Sequence, residues 1–247
     1  MNSTILEVEN LSVWYNTTGV IGRSNRKRNR IQILHGLSFS IKRGEIIGLV
    51  GESGCGKSTL AKALCGIISE IDGKITHLDA PPQMIFQDPM SSLNPAKTIG
   101  WIIEEPLRVR STKEPAERKR LVYEMLDRVG LGSAYAKRKP HELSGGQRQR
   151  VSIAASLICH PQLILADEPV SSLDVTIQSQ ILDLLLELGR DFNLSYLFIS
   201  HDMNVVYQIC DRVMVMENGR IIEECTVEDI FSNPFHEYTK RLLTSTD

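Results

Sequence analysis

Cysteines are few and carry no pattern. The five, Cys55, Cys65, Cys159, Cys210 and Cys225, show no C-x-x-C spacing and no nearby histidine pair, which argues against a zinc site, an iron–sulfur cluster and a disulfide framework. Reduced thiols in the cytoplasm are the simplest expectation. Positive charge is not in excess either: 28 Lys and Arg stand against 30 Asp and Glu, a net charge of −2, so no overall basic field invites nucleic acid. Nothing approaches the roughly 18 uninterrupted apolar residues of a membrane helix. The first nine residues lack the charged-then-apolar pattern of a signal peptide. The expectation is a soluble chain, able to sit on a membrane complex, whose 247 residues fold as one compact unit with room for an insertion.

What is present is a glycine-rich loop between two contrasting patterns. Gly51-Glu52-Ser53-Gly54-Cys55-Gly56-Lys57-Ser58 leaves the apolar run 46–50 and enters a helical pattern at Thr59. Glycines let successive backbone N–H groups converge on one anion, and the helix that follows adds the positive end of its dipole. Lys57 then reaches the outer phosphates of a nucleotide and the Ser58 hydroxyl can hold Mg²⁺. Strand before and helix after are the context this short pattern requires. Cys55 lies among the converging N–H groups, where a thiol is expected to have a lowered pKa and to be open to alkylation. The competing reading is a small residue tolerated at a variable position.

Ahead of the loop, 5–15 and 31–42 alternate in apolar character as strands, the second with Ile33, His35, Leu37, Phe39 and Ile41 on one face. The polar stretch between them ends in a basic run, 23–30, read as a solvated hairpin tip. Trp14 and Tyr15 offer either core packing or a ring on which a base can stack. After the loop helix, Asp72-Gly73 is expected to be a turn, and a short strand at 83–86 delivers Gln87. From about 90 to 160 the period becomes helical, with Leu121, Val122, Met125, Leu126 and Val129 on one stripe.

Within that stretch Leu143-Ser144-Gly145-Gly146-Gln147 begins a helix with the stripe Val151, Ala154, Ala155 and Ile158. Ser144 and Gln147 have capping-box spacing. Two glycines in a first turn weaken a helix by about 1 kcal/mol each, so the pair suggests close backbone approach and a second anion site. The continuous apolar run 163–166 fits a parallel strand covered on both faces and ends in Asp167-Glu168. One acid there can serve a Mg²⁺ shell and the next polarise a water. Asp174 is most simply the N-cap of the helix carrying Ile177, Ile181, Leu184, Leu185 and Leu188. A further buried strand, 196–200, releases His201 at the edge where open α/β sheets bind ligands. A hairpin at 211–224 turns at Asn218-Gly219, and two short helices close the chain.

In this order the motifs resemble the nucleotide-binding subunit of ABC transporters over essentially the whole chain: Walker A at 51–58, Gln87 as glutamine loop, Leu143–Gln147 as signature, Asp167-Glu168 as Walker B, Ser171–Asp174 as D-loop and His201 as switch histidine. The resemblance implies an α/β fold. Residues 1–88 and 162–247 would form a P-loop (RecA-like) core with a largely parallel sheet and an N-terminal antiparallel β subdomain, and 89–161 an inserted helical subdomain. It also implies a Mg-dependent ATPase. Tyr15 would stack on adenine, while Gly51, Ser53, Gly54, Cys55, Gly56, Lys57, Ser58 and Thr59 hold the phosphates. Ser58, Gln87 and Asp167 would surround Mg²⁺, Glu168 would polarise the attacking water, and His201 would contact the γ-phosphate. Two subunits would face head to tail, so that Leu143, Ser144, Gly145, Gly146 and Gln147 close over the partner's ATP, and Asp174 would belong to the D-loop. That accounts for two anion sites about 90 positions apart on one chain.

A narrower resemblance, to the ATPase subunits of dipeptide, oligopeptide and nickel importers, rests on the loop before Ile31, the stretch 86–95 and the ending Asn233-Pro234-Phe235-His236-Glu237-Tyr238-Thr239. It implies a second ABC ATPase subunit, identical or related, two transmembrane permease subunits, an extracytoplasmic substrate-binding protein and a peripheral place on the cytoplasmic face of the membrane. The short segment between Gly73 and Gln83 leans toward the nickel or metal-chelate type, and no cysteine-rich extension follows Leu243, so no iron–sulfur cluster is expected. An exporter or lipid-extraction ATPase is the alternative. ABC ATPases of DNA repair carry long coiled-coil or zinc-bearing insertions that this chain does not have.

Overall fold

The computed structural model describes residues 3–17, 29–78 and 80–244. Most of the basic run, 23–28, lies outside them. In chain order the elements are β1 (Thr4–Thr17), β2 (Asn29–Lys42), β3 (Ile46–Val50), α1 (Lys57–Leu64), β4 (Ile71–His77), β5 (Gln83–Ile85), α2 (Pro89–Ser92), α3 (Ile99–Arg110), α4 (Pro115–Arg128) and α5 (Gly145–Leu157). There follow β6 (Leu163–Asp167), α6 (Val175–Phe192), β7 (Ser195–Ile199), α7 (Met203–Ile209), β8 (Arg212–Glu217), β9 (Arg220–Thr226), α8 (Val227–Ser232) and α9 (Glu237–Thr244). They divide into two compact units, Met1–Pro81 with Leu197–Asp247, and Pro82–Tyr196, the division falling within β7. None of the described helices is long and apolar enough to cross a membrane.

In the first unit β1 lies between β2 and β4 in an antiparallel sheet. Leu6, Val8, Leu11 and Val13 bury one face of β1. The expected alternation of β2 changes phase: Leu34, Leu37, Phe39 and Ile41 are buried, while Ile33 and His35 are only partly covered. The cause is a bulge at Gly36 (φ 65), where Leu11 pairs with Leu37 but Val13 with Leu34. The expected turn at Asp72-Gly73 is likewise corrected, since both residues lie inside β4. Gly73 has φ 94, and a Cβ there would come within 2.4 Å of the Asn10 carbonyl. The glycine serves a bulge against β1, where Glu9 pairs with Lys74 but Ser12 with Asp72. Asn10 is itself at φ 50, so the irregularities of all three strands meet at one residue.

β3 is buried from Ile47 to Val50 and pairs in parallel with β8, which turns antiparallel into β9. At the turn Asn218 and Gly219 both have positive φ, 47 and 72, the geometry of a type I′ hairpin. Arg212 gathers Glu45 at 2.9 Å, the Ser40 carbonyl at 2.7 Å and Glu224. The helix α7 was not foreseen; the Asp202 carboxylate starts it by accepting from the N–H of Asn204 and Val205.

In the second unit β5 and β6 are parallel. The expected stripe of α5 is too narrow: Gln149, Ser152, Ile153, Ser156 and Leu157 are buried as well as Val151 and Ala154. The helix packs against α2, α3, α4, α6 and β5, so nearly every side meets protein. α6 is capped by Asp174, which accepts from the Ile177 N–H at 3.1 Å, and buries Ile181, Leu184, Leu185 and Leu188.

Candidate functional site

The expected site residues divide between the units. The first carries Tyr15, the loop 51–59 and His201; the second carries Gln87, 143–147, Asp167, Glu168 and Asp174.

The loop suits an anion by construction. The N-cap of α1 is Gly56, which brings no capping side chain, so the orphan N–H groups of the first turn suit a phosphate. At the loop's other end Gly51 is irreplaceable: a Cβ would meet the Met216 carbonyl at 2.2 Å. Lys57 is 6% exposed. Its Nζ donates to the carbonyls of Gly51 at 2.6 Å and Glu52 at 3.0 Å, which holds the ammonium inside its own loop. Ser58 is exposed and Thr59 half-buried. The outer side of the loop is braced from afar, by Gly219 N–H donating to the Cys55 carbonyl at 2.9 Å and Glu52 N–H donating to Tyr238 Oη at 2.8 Å. A cavity of about 220 Å³ lies here between loop, hairpin turn and Tyr238.

Cys55 departs from expectation. Burial pushes its thiol up, and the neighbouring Lys57 ammonium and backbone N–H groups only partly oppose this. Converging N–H groups therefore do not make it an activated thiolate. Tyr15 is 40% exposed and pairs across the hairpin with the exposed Ile31, so its ring is open for stacking. His201 is exposed, on a turn closed by the Asp202 N–H donating to Ser200 Oγ at 3.0 Å.

In the second unit Asp167 is 6% exposed at the end of β6. Glu168, next to it, has φ 47, an uncommon backbone state for a non-glycine residue. Its Oε2 accepts from Gln87 Nε2 at 2.8 Å. Its carbonyl accepts from the Ser171 N–H and hydroxyl at 3.3 and 3.1 Å. The structure thus joins two expected site residues, Gln87 and Glu168, by a direct hydrogen bond that motif order does not reveal. The Ser144–Gln147 capping box forms as expected, with Gln147 N–H donating to Ser144 Oγ at 3.3 Å and Ser144 N–H to Gln147 Oε1 at 3.0 Å.

The two signature glycines have different reasons. At Gly145 a Cβ would meet only Leu173 at an ordinary 3.6 Å, whereas at Gly146 it would strike Ile177 at 2.5 Å. Close helix packing accounts for Gly146, and only Gly145 keeps the backbone open. The same contacts bring the D-loop and the start of α6 against the signature within one unit.

Among known proteins the ABC transporter family profile matches residues 34–171. The oligopeptide transport ATP-binding protein AppF of Bacillus subtilis is 44% identical over 258 residues, covering 98% of this chain and 78% of that protein. The dipeptide transport ATP-binding protein DppF of Haemophilus influenzae is 45% identical over 235 residues, 89% of this chain and 72% of that protein. Among solved structures, cbiO1 of Clostridium perfringens, part of the ABC transporter complex cbiONQ, superposes with a TM-score of 0.78 at 28% identity, covering 94% of this chain and 92% of that one. A dimeric ATP-binding cassette in a post-hydrolysis state with ADP and Pi gives 0.76 at 27% identity, covering 90% and 98%. With its phosphate loop, signature and paired Gln87 and Glu168 in place, the chain belongs to the ABC transporter family, as one of its ATP-binding, ATP-hydrolysing subunits.

Proposed function

We propose that this chain is the energy-coupling subunit of a peptide importer. It would work with a second ABC ATPase, identical or related, two transmembrane permeases and an extracytoplasmic substrate-binding protein, lying peripherally on the cytoplasmic face of the membrane. The names of its relatives, oligopeptide and dipeptide transport proteins, support peptide over nickel or a metal chelate as cargo.

The observation that carries the catalytic part is Glu168, held in a left-handed backbone state at the end of a buried strand with its carboxylate fixed by Gln87. A carboxylate so placed polarises a water without having to reorganise, and hydrolysis becomes chiefly positioning and charge stabilisation. The phosphate loop with Lys57 takes the outer phosphates, Tyr15 the adenine, and His201 the γ-phosphate. The oxygen donors Ser58 Oγ, Gln87 Oε1 and Asp167 are hard ligands of the sort Mg²⁺ takes, one carboxylate beside substrate phosphates. Bound there, Mg²⁺ would neutralise charge developing on the β- and γ-oxygens. The start of α5, with Ser144 and Gly145, serves the ATP held by the partner subunit, with Asp174 beside it. Residues 1–88 and 162–247 then act as the nucleotide-binding core and 89–161 as the helical part that meets the permeases, so that closure on ATP moves them.

The test is reconstitution. The assembled transporter in liposomes should show ATPase activity stimulated by a binding protein loaded with peptide. Stimulation by a nickel-loaded binding protein in place of a peptide-loaded one would overturn the peptide assignment.

A further inference from the structure

The C-terminal helix reaches the phosphate loop through one hydroxyl. Tyr238 of α9 is 4% exposed, and its Oη accepts a hydrogen bond of 2.8 Å from the Glu52 N–H. That N–H belongs to the peptide unit joining Gly51 and Glu52, whose carbonyl accepts from Lys57 Nζ at 2.6 Å. One peptide plane is therefore clamped between Tyr238 and Lys57. Donation from its N–H polarises the amide and makes its oxygen a better acceptor for the ammonium. The Glu52 N–H also faces Tyr238 and is drawn out of the set that can face a phosphate.

The ring is held where it is by a second layer. Glu223 of β9 accepts from the backbone N–H of Phe235 at 2.7 Å and of His236 at 3.0 Å, and from the Thr239 hydroxyl. His236 Nδ1 accepts from the N–H of Tyr238 itself at 3.2 Å, and Thr239 is fully buried. One carboxylate thus fixes the segment 235–239 at three of its residues. A single surface tyrosine would not need this much structure to satisfy its hydroxyl with water.

The geometry points to Tyr238 as a positioning residue for ATP binding and hydrolysis. It orients the Gly51–Glu52 peptide, the peptide sets the Lys57 ammonium, and the shape of the phosphate loop depends on whether the C-terminal segment is docked. This rests on the reading of the loop as the phosphate site of ATP. Loosening of the segment by any contact at its surface would be felt at Lys57 without touching the nucleotide.

The experiment compares the parent protein, Tyr238→Phe, Glu223→Gln and Lys57→Ala, measuring Mg-ATP affinity by calorimetry, kcat and KM for ATP, and Tm. Tyr238→Phe keeps the ring and removes only the hydroxyl. It should bind Mg-ATP about threefold to tenfold more weakly, the loss expected for one buried hydrogen bond, with kcat lowered as well and Tm within a few degrees of the parent. Glu223→Gln leaves the ring and hydroxyl intact and should shift affinity in the same direction, by less. A role in packing alone would lower Tm and leave affinity and kcat at parental values, and that result in both variants overturns the proposal. If instead Lys57→Ala binds Mg-ATP as well as the parent, the assignment of the loop falls, whatever Tyr238 does.

Discussion

In the proposed mechanism hydrolysis rests on one side chain, Glu168, which a left-handed backbone state and a hydrogen bond from Gln87 hold in place. Replacing Glu168 by Gln keeps shape and hydrogen bonding but removes the charge that polarises water, so Mg-ATP should still bind while turnover is lost. Turnover near the parental rate in a clean preparation would remove Glu168 from this role. Cys55 gives a second prediction at this scale. With burial raising its pKa, little thiolate exists at neutral pH. Iodoacetamide should modify Cys55 more slowly in the folded protein than in the urea-denatured chain, as read by peptide mass spectrometry, and equal rates would contradict this. The places of Asp167 and Glu168 at a strand end, of Lys57 at a helix start, and the capping pair Ser144 and Gln147 were legible because each is set within a few residues of sequence. Tyr238 was not, since its partner Glu52 is 186 positions away and no local pattern links a C-terminal tyrosine to a peptide unit of the loop.

Among elements, strands were read well where periodicity persists and poorly where a bulge resets it. β3, β6 and β7 are short buried runs with abrupt polar ends, and their places followed from that contrast alone. In β2 the alternation breaks at Gly36, where a bulge resets the phase that the pattern alone carries straight through, and in β4 Gly73 looks like a turn because a glycine that serves a bulge has the same appearance in sequence. α5 was read too narrowly, for a helix buried on nearly every side has no clear stripe. Its Gly146 gives a test. Gly146→Ala places a Cβ 2.5 Å from Ile177, an overpacking expected to cost about 1–3 kcal/mol. Urea unfolding should show a lowered midpoint, and the loss should be smaller in an Ile177→Ala background, which lacks the Cγ2 that the new Cβ strikes.

The tie between β9 and the C-terminal segment is pH-dependent. Burial acts to raise the Glu223 carboxyl, but hydrogen bonds from Thr239, Phe235 and His236, with the His236 charge, outweigh it and hold it below the ordinary value of 4.5. A depressed folded pKa contributes stability that is full above that ordinary value and lost as pH falls through the folded one. The Tm difference between the parent and Glu223→Gln should thus be constant from pH 8 down to about 5 and shrink below it. A difference that grows on acidification would reverse the sign.

At the scale of the whole molecule the order of motifs identifies the family even where individual spacings are weak. Division of labour between subunits is testable at this scale. If two copies of this chain pair head to tail, Lys57→Ala spoils one half of each composite site and Ser144→Arg the other. Neither variant should hydrolyse ATP alone, whereas a mixture contains pairs with one intact site and should regain activity. No recovery on mixing would show that the working partner is a related subunit.

The turn at Asn218-Gly219 bears on protein engineering. Surface hairpin turns are ordinarily the first choice for inserting a tag, a fluorophore or a foreign loop. Here the Gly219 carbonyl accepts from the His35 N–H at 2.9 Å while its own N–H donates to Cys55 at 2.9 Å. One residue is stitched to both β2 and the phosphate loop, so lengthening this turn by a single position would unpick both, and fusions belong elsewhere on the chain.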